Sequence, residues 1–271
     1  MSDIEYDETT SSDGTSIAYF RRGSAGPALV VTHGSIATKE QWIPASEHLA
    51  EHVTLYVYDR RGRGGTGDAA EYSLAHEVAD IAAMMEVAGP GAHLLGHSFG
   101  ALATLAYARE HGLGGGTLLA YEPPLAVQGP VAGERLQGYR DLVDAGDLDA
   151  ALEYALVNFV RVPAEAIPFI RETPLWGASV PLTPTWVREL AEIDALGSDL
   201  SVYAEIDDPT HLIAGTATTA FLYQSAHDLV DVIPNACITD IEGADHFAHL
   251  ADPEGFTRVV VGALDRASVA R

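Results

Sequence analysis

Short apolar runs recur along the chain at regular spacing: Ala28–Thr32, Val53–Tyr58, His93–Leu95, Thr117–Tyr121, His211–Ala214 and Ala236–Ile241. Most are nearly continuous rather than alternating, which is how strands covered on both faces of a parallel sheet read. Two strand-like segments, Ile4–Thr9 and Ser16–Phe20, precede them, with the turn residues Ser12-Asp13-Gly14 between. Helical periodicity fills the gaps. Lys39–His52 places Trp42, Ile43, Leu49 and Ala50 on one side, and Ser73–Val87 repeats Leu74, Val78, Ile81, Met84 and Met85. Ser98–His111, Thr218–Val232 and Pro253–Leu264 complete the series. Strands alternating with helices predict right-handed βαβ units on an open, mostly parallel sheet, an α/β fold.

One stretch breaks the rhythm. Between Pro124 and about Asp207 the pattern is helical. Leu136, Tyr139, Leu142 and Val143 form one stripe, and Leu152, Ala155, Leu156, Phe159 and Val160 form another. Thr183-Pro184 reads as a helix start with proline at the first helical position. The expected organisation is a core of residues 1–124 and 208–271, with a helical cap inserted at 125–207. A length of 271 residues suits one large domain carrying such an insertion.

Charge narrows the function. There are 39 acidic and 15 basic residues, a formal net charge of −24. That excess of acid argues against nucleic-acid phosphates and against anionic membrane surfaces. Only Lys39 is a lysine, which leaves little room for Schiff-base or P-loop lysine chemistry. The single cysteine, Cys237, excludes an internal disulfide, and its apolar neighbours Ala236 and Ile238 predict an inert core thiol. No apolar run is long enough to span a bilayer, and Met1-Ser2-Asp3-Ile4-Glu5 lacks the start of a signal peptide, so a cytoplasmic protein is expected. Nothing in the sequence calls for a cofactor or a metal.

The sharpest chemical signal is Gly96-His97-Ser98-Phe99-Gly100, which follows the strand His93-Leu94-Leu95 and opens a helix at Ala101-Leu102-Ala103-Thr104. That context makes the pattern a nucleophile elbow. The strand-to-helix turn is so tight that serine takes a strained backbone, and flanking glycines let the two elements approach. Gly62-Arg63-Gly64-Gly65-Thr66-Gly67 fits a dinucleotide fingerprint, but no helix opens on it before Ser73, so the required context is missing. A nucleophilic serine needs a base, and His246 in Gly243-Ala244-Asp245-His246-Phe247 falls on a loop at the strand carboxyl ends, the same edge as Ser98. His249 is expected to cap the following helix or face solvent. Arg60, Arg61 and Arg63 form the one basic cluster and are expected to pair with carboxylates such as Asp59 and Asp68.

Taken in order, His33-Gly34-Ser35 with Trp42 downstream, Asp59-Arg60-Arg61-Gly62-Arg63-Gly64, the elbow at Ser98 and the histidine loop at His246 resemble the α/β-hydrolase superfamily over nearly the whole chain. The resemblance implies an eight-stranded sheet with a cap after the sixth strand. It implies an oxyanion hole from the backbone amides of Ser35 and Phe99, which suit charge that appears only in the tetrahedral state. The family commonly takes its acid from the loop after the seventh strand, but here that loop reads Thr216-Ala217-Thr218-Thr219, without a carboxylate. Some members take it from the end of the sixth strand, which here is Glu122. A Ser-His dyad assisted by water or Thr218 is the alternative.

The expected activity is a serine hydrolase: Ser98 attacks, His246 moves the proton, Glu122 orients His246, and water resolves an acyl-enzyme. Serine at position 98 speaks against the branches that use an aspartate nucleophile. The cap aromatics Tyr139, Tyr154, Phe159, Phe169, Trp176 and Trp186 predict an apolar pocket for a small-molecule, hydrophobic substrate. Contacts to that substrate are expected from His33, Gly34, His97, Trp176 and Trp186. The same Ser-His-oxyanion set could also serve C–C cleavage, acyl transfer or cyclisation, and a ligand-binding protein on this scaffold is the third option.

Overall fold

The computed structural model describes residues 3–24 and 26–269, the last two by backbone alone. Met1 and Ser2, part of the segment read for a leader signal, lie outside the described residues. Eight strands, β1 (Ile4–Thr10), β2 (Ser16–Arg22), β3 (Ala28–Thr32), β4 (Thr54–Tyr58), β5 (His93–His97), β6 (Leu118–Tyr121), β7 (Thr210–Gly215) and β8 (Ala236–Ile241), form one sheet in the order β1-β2-β4-β3-β5-β6-β7-β8. The β1–β2 and β2–β4 pairings are antiparallel and the rest are parallel.

Helices α1 (Ile43–Leu49), α2 (Leu74–Ala88) and α3 (Phe99–His111) make the first crossovers. Between β6 and β7 come α4 (Arg135–Asp144), α5 (Leu148–Ala155), α6 (Ile167–Arg171), α7 (Pro174–Ser179) and α8 (Thr183–Ala195). Helices α9 (Ala220–Val230), α10 (Ala248–Ala251) and α11 (Pro253–Val269) follow. The Lys39–His52 pattern resolves into a 3-10 turn at Lys39–Trp42 and the shorter α1, because Pro44 occupies the first turn of a new helix. Among the described residues, no helix is long and apolar enough to cross a membrane.

Alternate residues of the central strands feed two cores. Val30, Leu94, Leu118 and Leu212 pack with α2, α3 and α9 on one face, and Leu29, Val31, Leu95, Leu119 and Ile213 pack with α1 and α11 on the other. That double coverage explains the continuous apolar runs. β8 lies at the sheet's edge, and there the expectation for Cys237 fails: its side chain points outward and is exposed, with Sγ 2.9 Å from His211 Nδ1.

Candidate active site

Three parallel strands and one loop bring the candidate residues to the same edge. Ser98 follows β5 with φ 55° and ψ −126°, a conformation that L side chains rarely adopt. The positions two residues to either side must be glycine. A Cβ on Gly96 would lie 2.5 Å from Ala101 Cα, and one on Gly100 would lie 2.2 Å from the Thr32 carbonyl oxygen. Gly96 is thus packed against the start of α3, and Gly100 against the end of β3, too tightly for a side chain at either position. Gly34 abuts this turn, since a Cβ there would come within 2.9 Å of Ser98 Cβ. Among the described residues neither the Ser35 nor the Phe99 N–H has a protein acceptor, as donors awaiting an oxyanion would not.

Glu122 follows β6, also at positive φ (49°), and is fully buried. Its backbone N–H donates to the Ile213 carbonyl, 3.1 Å, which turns the side chain toward β7. The Gly215 N–H donates to Oε1 at 2.7 Å and the Thr218 hydroxyl to Oε2 at 2.8 Å. His246 Nδ1 donates to the same Oε2 in a very short contact. The end of β7 and the loop after it thus supply two donors to Glu122. All of these bonds satisfy oxygens that burial would otherwise leave unpaired. With the proton on Nδ1, Nε2 of His246 is left as the acceptor, the form a general base needs.

The His246 loop is itself pinned. His97 Nε2 donates to the His246 carbonyl at 2.9 Å, and the Tyr121 hydroxyl donates to the Asp245 carbonyl at 2.7 Å. Asp245 does not turn to the imidazole; its Oδ1 accepts from the Phe247 N–H. His97 is buried, and burial together with the adjoining His246 and His249 holds its pKa well below the usual histidine value. His249 neither caps a helix through its ring nor faces solvent. It is 1% exposed and stacks on Trp42 with ring centres 4.5 Å apart, and burial holds its pKa down at about 3.

Ser98, Ser35 and His246 open into one cleft, walled by Pro124, Val131, Phe159, Val160, Trp186, Leu190, Ile193, Phe221 and Leu222. Trp186, Leu190 and Ile193 are one stripe of α8, at i, i+4 and i+7. Sequence periodicity could have found that stripe; Val131, Phe221 and Leu222 carry no such signal. Trp176 is elsewhere. It packs with Leu152, Leu156 and Ile167, and its indole N–H donates to Asp149 at 2.7 Å. Phe169 is 75% exposed, while Tyr139 sits behind the wall against Phe159 and Trp186. His33 and His97 are buried behind the loops rather than lining the cleft.

The arginine cluster pairs, but not with the expected acids. Arg60 meets Glu77 and Glu189, Arg61 meets Asp80 and Asp13, and Arg63 meets Glu189. Asp59 takes the buried Lys39 and Asp68 takes Arg188. These partners lie up to 129 residues away in the chain, beyond the reach of local pattern.

A model of the alpha/beta hydrolase family matches residues 29–259. The chain belongs to that family. An alpha/beta hydrolase from Sphaerobacter thermophilus superposes with TM-score 0.85 at 32% identity, covering 95% of this chain and 99% of the other. The enol-lactonase of Burkholderia xenovorans LB400 shares the fold at TM-score 0.77 and 21% identity, over 96% of this chain and all of that one. N-formylmaleamate deformylase of Pseudomonas putida is 34% identical over 123 residues, 44% of this chain and 45% of that protein, so the match spans less than half of either. A putative carbamate hydrolase, RutD, of Pseudomonas savastanoi is 24% identical over 88% of this chain and 94% of its own length.

Proposed function

We propose that the chain is a serine hydrolase that cleaves an ester, thioester or lactone of a small-to-medium hydrophobic substrate through an acyl-enzyme. The observation that carries this reading is the buried Glu122–His246 pair opening into the same apolar cleft as the strained Ser98. Ser98 attacks the carbonyl carbon and His246 Nε2 takes its proton. The Ser35 and Phe99 amides hold the oxyanion, and Glu122 stabilises the imidazolium that forms. His246 returns the proton to the leaving group, and water then releases the acid by the same steps.

Among the described residues, no lysine or arginine lines the cleft. That favours an uncharged, apolar acyl portion over an anionic one such as the maleamate that the deformylase relative is named for. A fluorophosphonate probe tests the nucleophile. Labelling at Ser98, lost in His246→Ala, supports it; no labelling of folded protein overturns it. Turnover of short p-nitrophenyl esters, set beside N-formyl amides, then separates ester from C–N cleavage.

A further inference from the structure

The loop carrying the Ser35 amide is gripped from behind. The Arg60 N–H donates to His33 Nε2 at 3.1 Å, which leaves the His33 proton on Nδ1. That Nδ1 donates to the Gly34 carbonyl at 2.8 Å. The Arg60 side chain donates to the same carbonyl through Nη1 at 3.3 Å, and its guanidinium lies 4.4 Å from the centre of the Phe99 ring. The Gly34 carbonyl and the Ser35 N–H belong to one peptide unit. Donation to the carbonyl polarises that unit and strengthens its N–H as a donor.

Arg60 is in turn held from two sides. Glu77 of α2 takes its Nε and Nη2 at 3.0 and 2.7 Å. Glu189 of α8 takes Nη2 at 2.8 Å, and the same oxygen accepts from Arg63 at 2.5 Å. The side chains of all four residues are fully buried. Two cations and two anions cancel, and without water to screen them, moving one member costs far more than it would at the surface. Glu189 is the member contributed by the cap, and it lies on the helix whose Trp186, Leu190 and Ile193 wall the cleft. A second tie from the cap reaches the same loop: the Ser179 hydroxyl donates to the Ile36 carbonyl at 3.2 Å, at a residue with φ 45°.

We propose that Arg60, clamped between Glu77 of the core and Glu189 of the cap, is a positioning residue for the oxyanion hole, acting through the Gly34–Ser35 peptide. Seating of α8 over the substrate and the donor strength of the Ser35 N–H are then linked. This inference rests on the serine-hydrolase reading above for its consequence, and on the hydrogen-bond chain itself for its cause. A staple that merely holds the cap down would raise KM when loosened. An oxyanion device lowers kcat.

The test compares wild type, Arg60→Lys and Glu189→Gln on p-nitrophenyl butyrate, with a trifluoromethyl ketone as transition-state mimic. Lysine keeps the charge but not the forked geometry. Expected for Arg60→Lys is a kcat lower by about 10- to 100-fold, less than the about 10²- to 10³-fold that follows outright loss of an oxyanion donor. KM stays within about twofold, and the ketone's Ki rises in step with the fall in kcat. Glu189→Gln shows the same pattern at smaller size and carries the test where Arg60→Lys fails to fold. The Ser35 amide proton, followed by ¹⁵N–¹H correlation spectra, shifts upfield in both. Unchanged kcat and Ki, or a rise confined to KM, overturns the proposal. If wild type turns over no ester, the hydrolase reading fails, while an unmoved Ser35 resonance in the variants refutes the coupling itself.

Discussion

Ser98, Glu122 and Ile36 all hold positive φ without being glycine, and all three lie on the loops around the cleft. Such conformations persist only where the surroundings over-determine them, and here the hydrogen bonds to Tyr121, Ile213 and Ser179 do so. The histidines behind the site follow a second residue-scale rule. His33, His97 and His249 are fully buried, and burial, first among the causes, holds each well below the ordinary value of 6.5. Below that pH the unfolded chain takes up protons that the folded chain refuses, so stability falls as pH drops. For His249 the window runs from 6.5 down to about 3. The slope is about 1.4 kcal/mol per pH unit for each such histidine. His249→Phe keeps the stack on Trp42 and removes an Nδ1 that has no hydrogen-bond partner among the described residues. Urea unfolding between pH 6 and 4 is expected to show a dependence shallower by about one proton in this variant. An unchanged slope would mean that His249 is protonated alike in both states.

At the scale of elements, the β5–α3 turn is a tight joint at the site. Gly100→Ala is expected to cost about 1–3 kcal/mol, because the new methyl must displace backbone of β3 rather than a flexible side chain. Urea denaturation measures it, and a neutral substitution would contradict the packing described. This turn was legible in the sequence because a strand, two glycines and a helix must coincide there. The strands were legible for a similar reason: burial on both faces makes each one a continuous apolar run. Helix boundaries were less so, and Pro44 divided one expected helix. His249, three residues beyond His246 on a loop, reads as surface, whereas the short helix α10 turns it inward against Trp42. Trp176 was misplaced because an aromatic in the cap reads alike whether it walls the cleft or, as here, fastens α7 to α5.

Across the whole molecule, the formal net charge is −24, and part of the scarce positive charge is drawn inside. Lys39, Arg60, Arg61 and Arg63 are all buried in ion pairs. Those pairings were invisible in the sequence, since they join residues through the fold and not through spacing. The remaining acids repel one another. Raising NaCl from about 0.05 to 0.5 M is therefore expected to raise Tm, as the Debye length shrinks from more than 10 Å to less than 5 Å. A fall in Tm would show that ion pairs outweigh the repulsion.

In the proposed mechanism the acid is Glu122, directly after β6, and kcat of Glu122→Gln on a short p-nitrophenyl ester tests this most directly. The amide keeps the shape but has a single acceptor oxygen, so it cannot accept both from Gly215, which uses Oε1, and from Thr218 and His246, which share Oε2, and it no longer stabilises the imidazolium of His246. The expected result is a fall of about 10³- to 10⁴-fold in a protein that still folds cooperatively, with a lowered Tm from the buried donor left unpaired. Activity within a few-fold of wild type would show that Glu122 is a buried strand-end carboxylate and that Ser98 and His246 work without it.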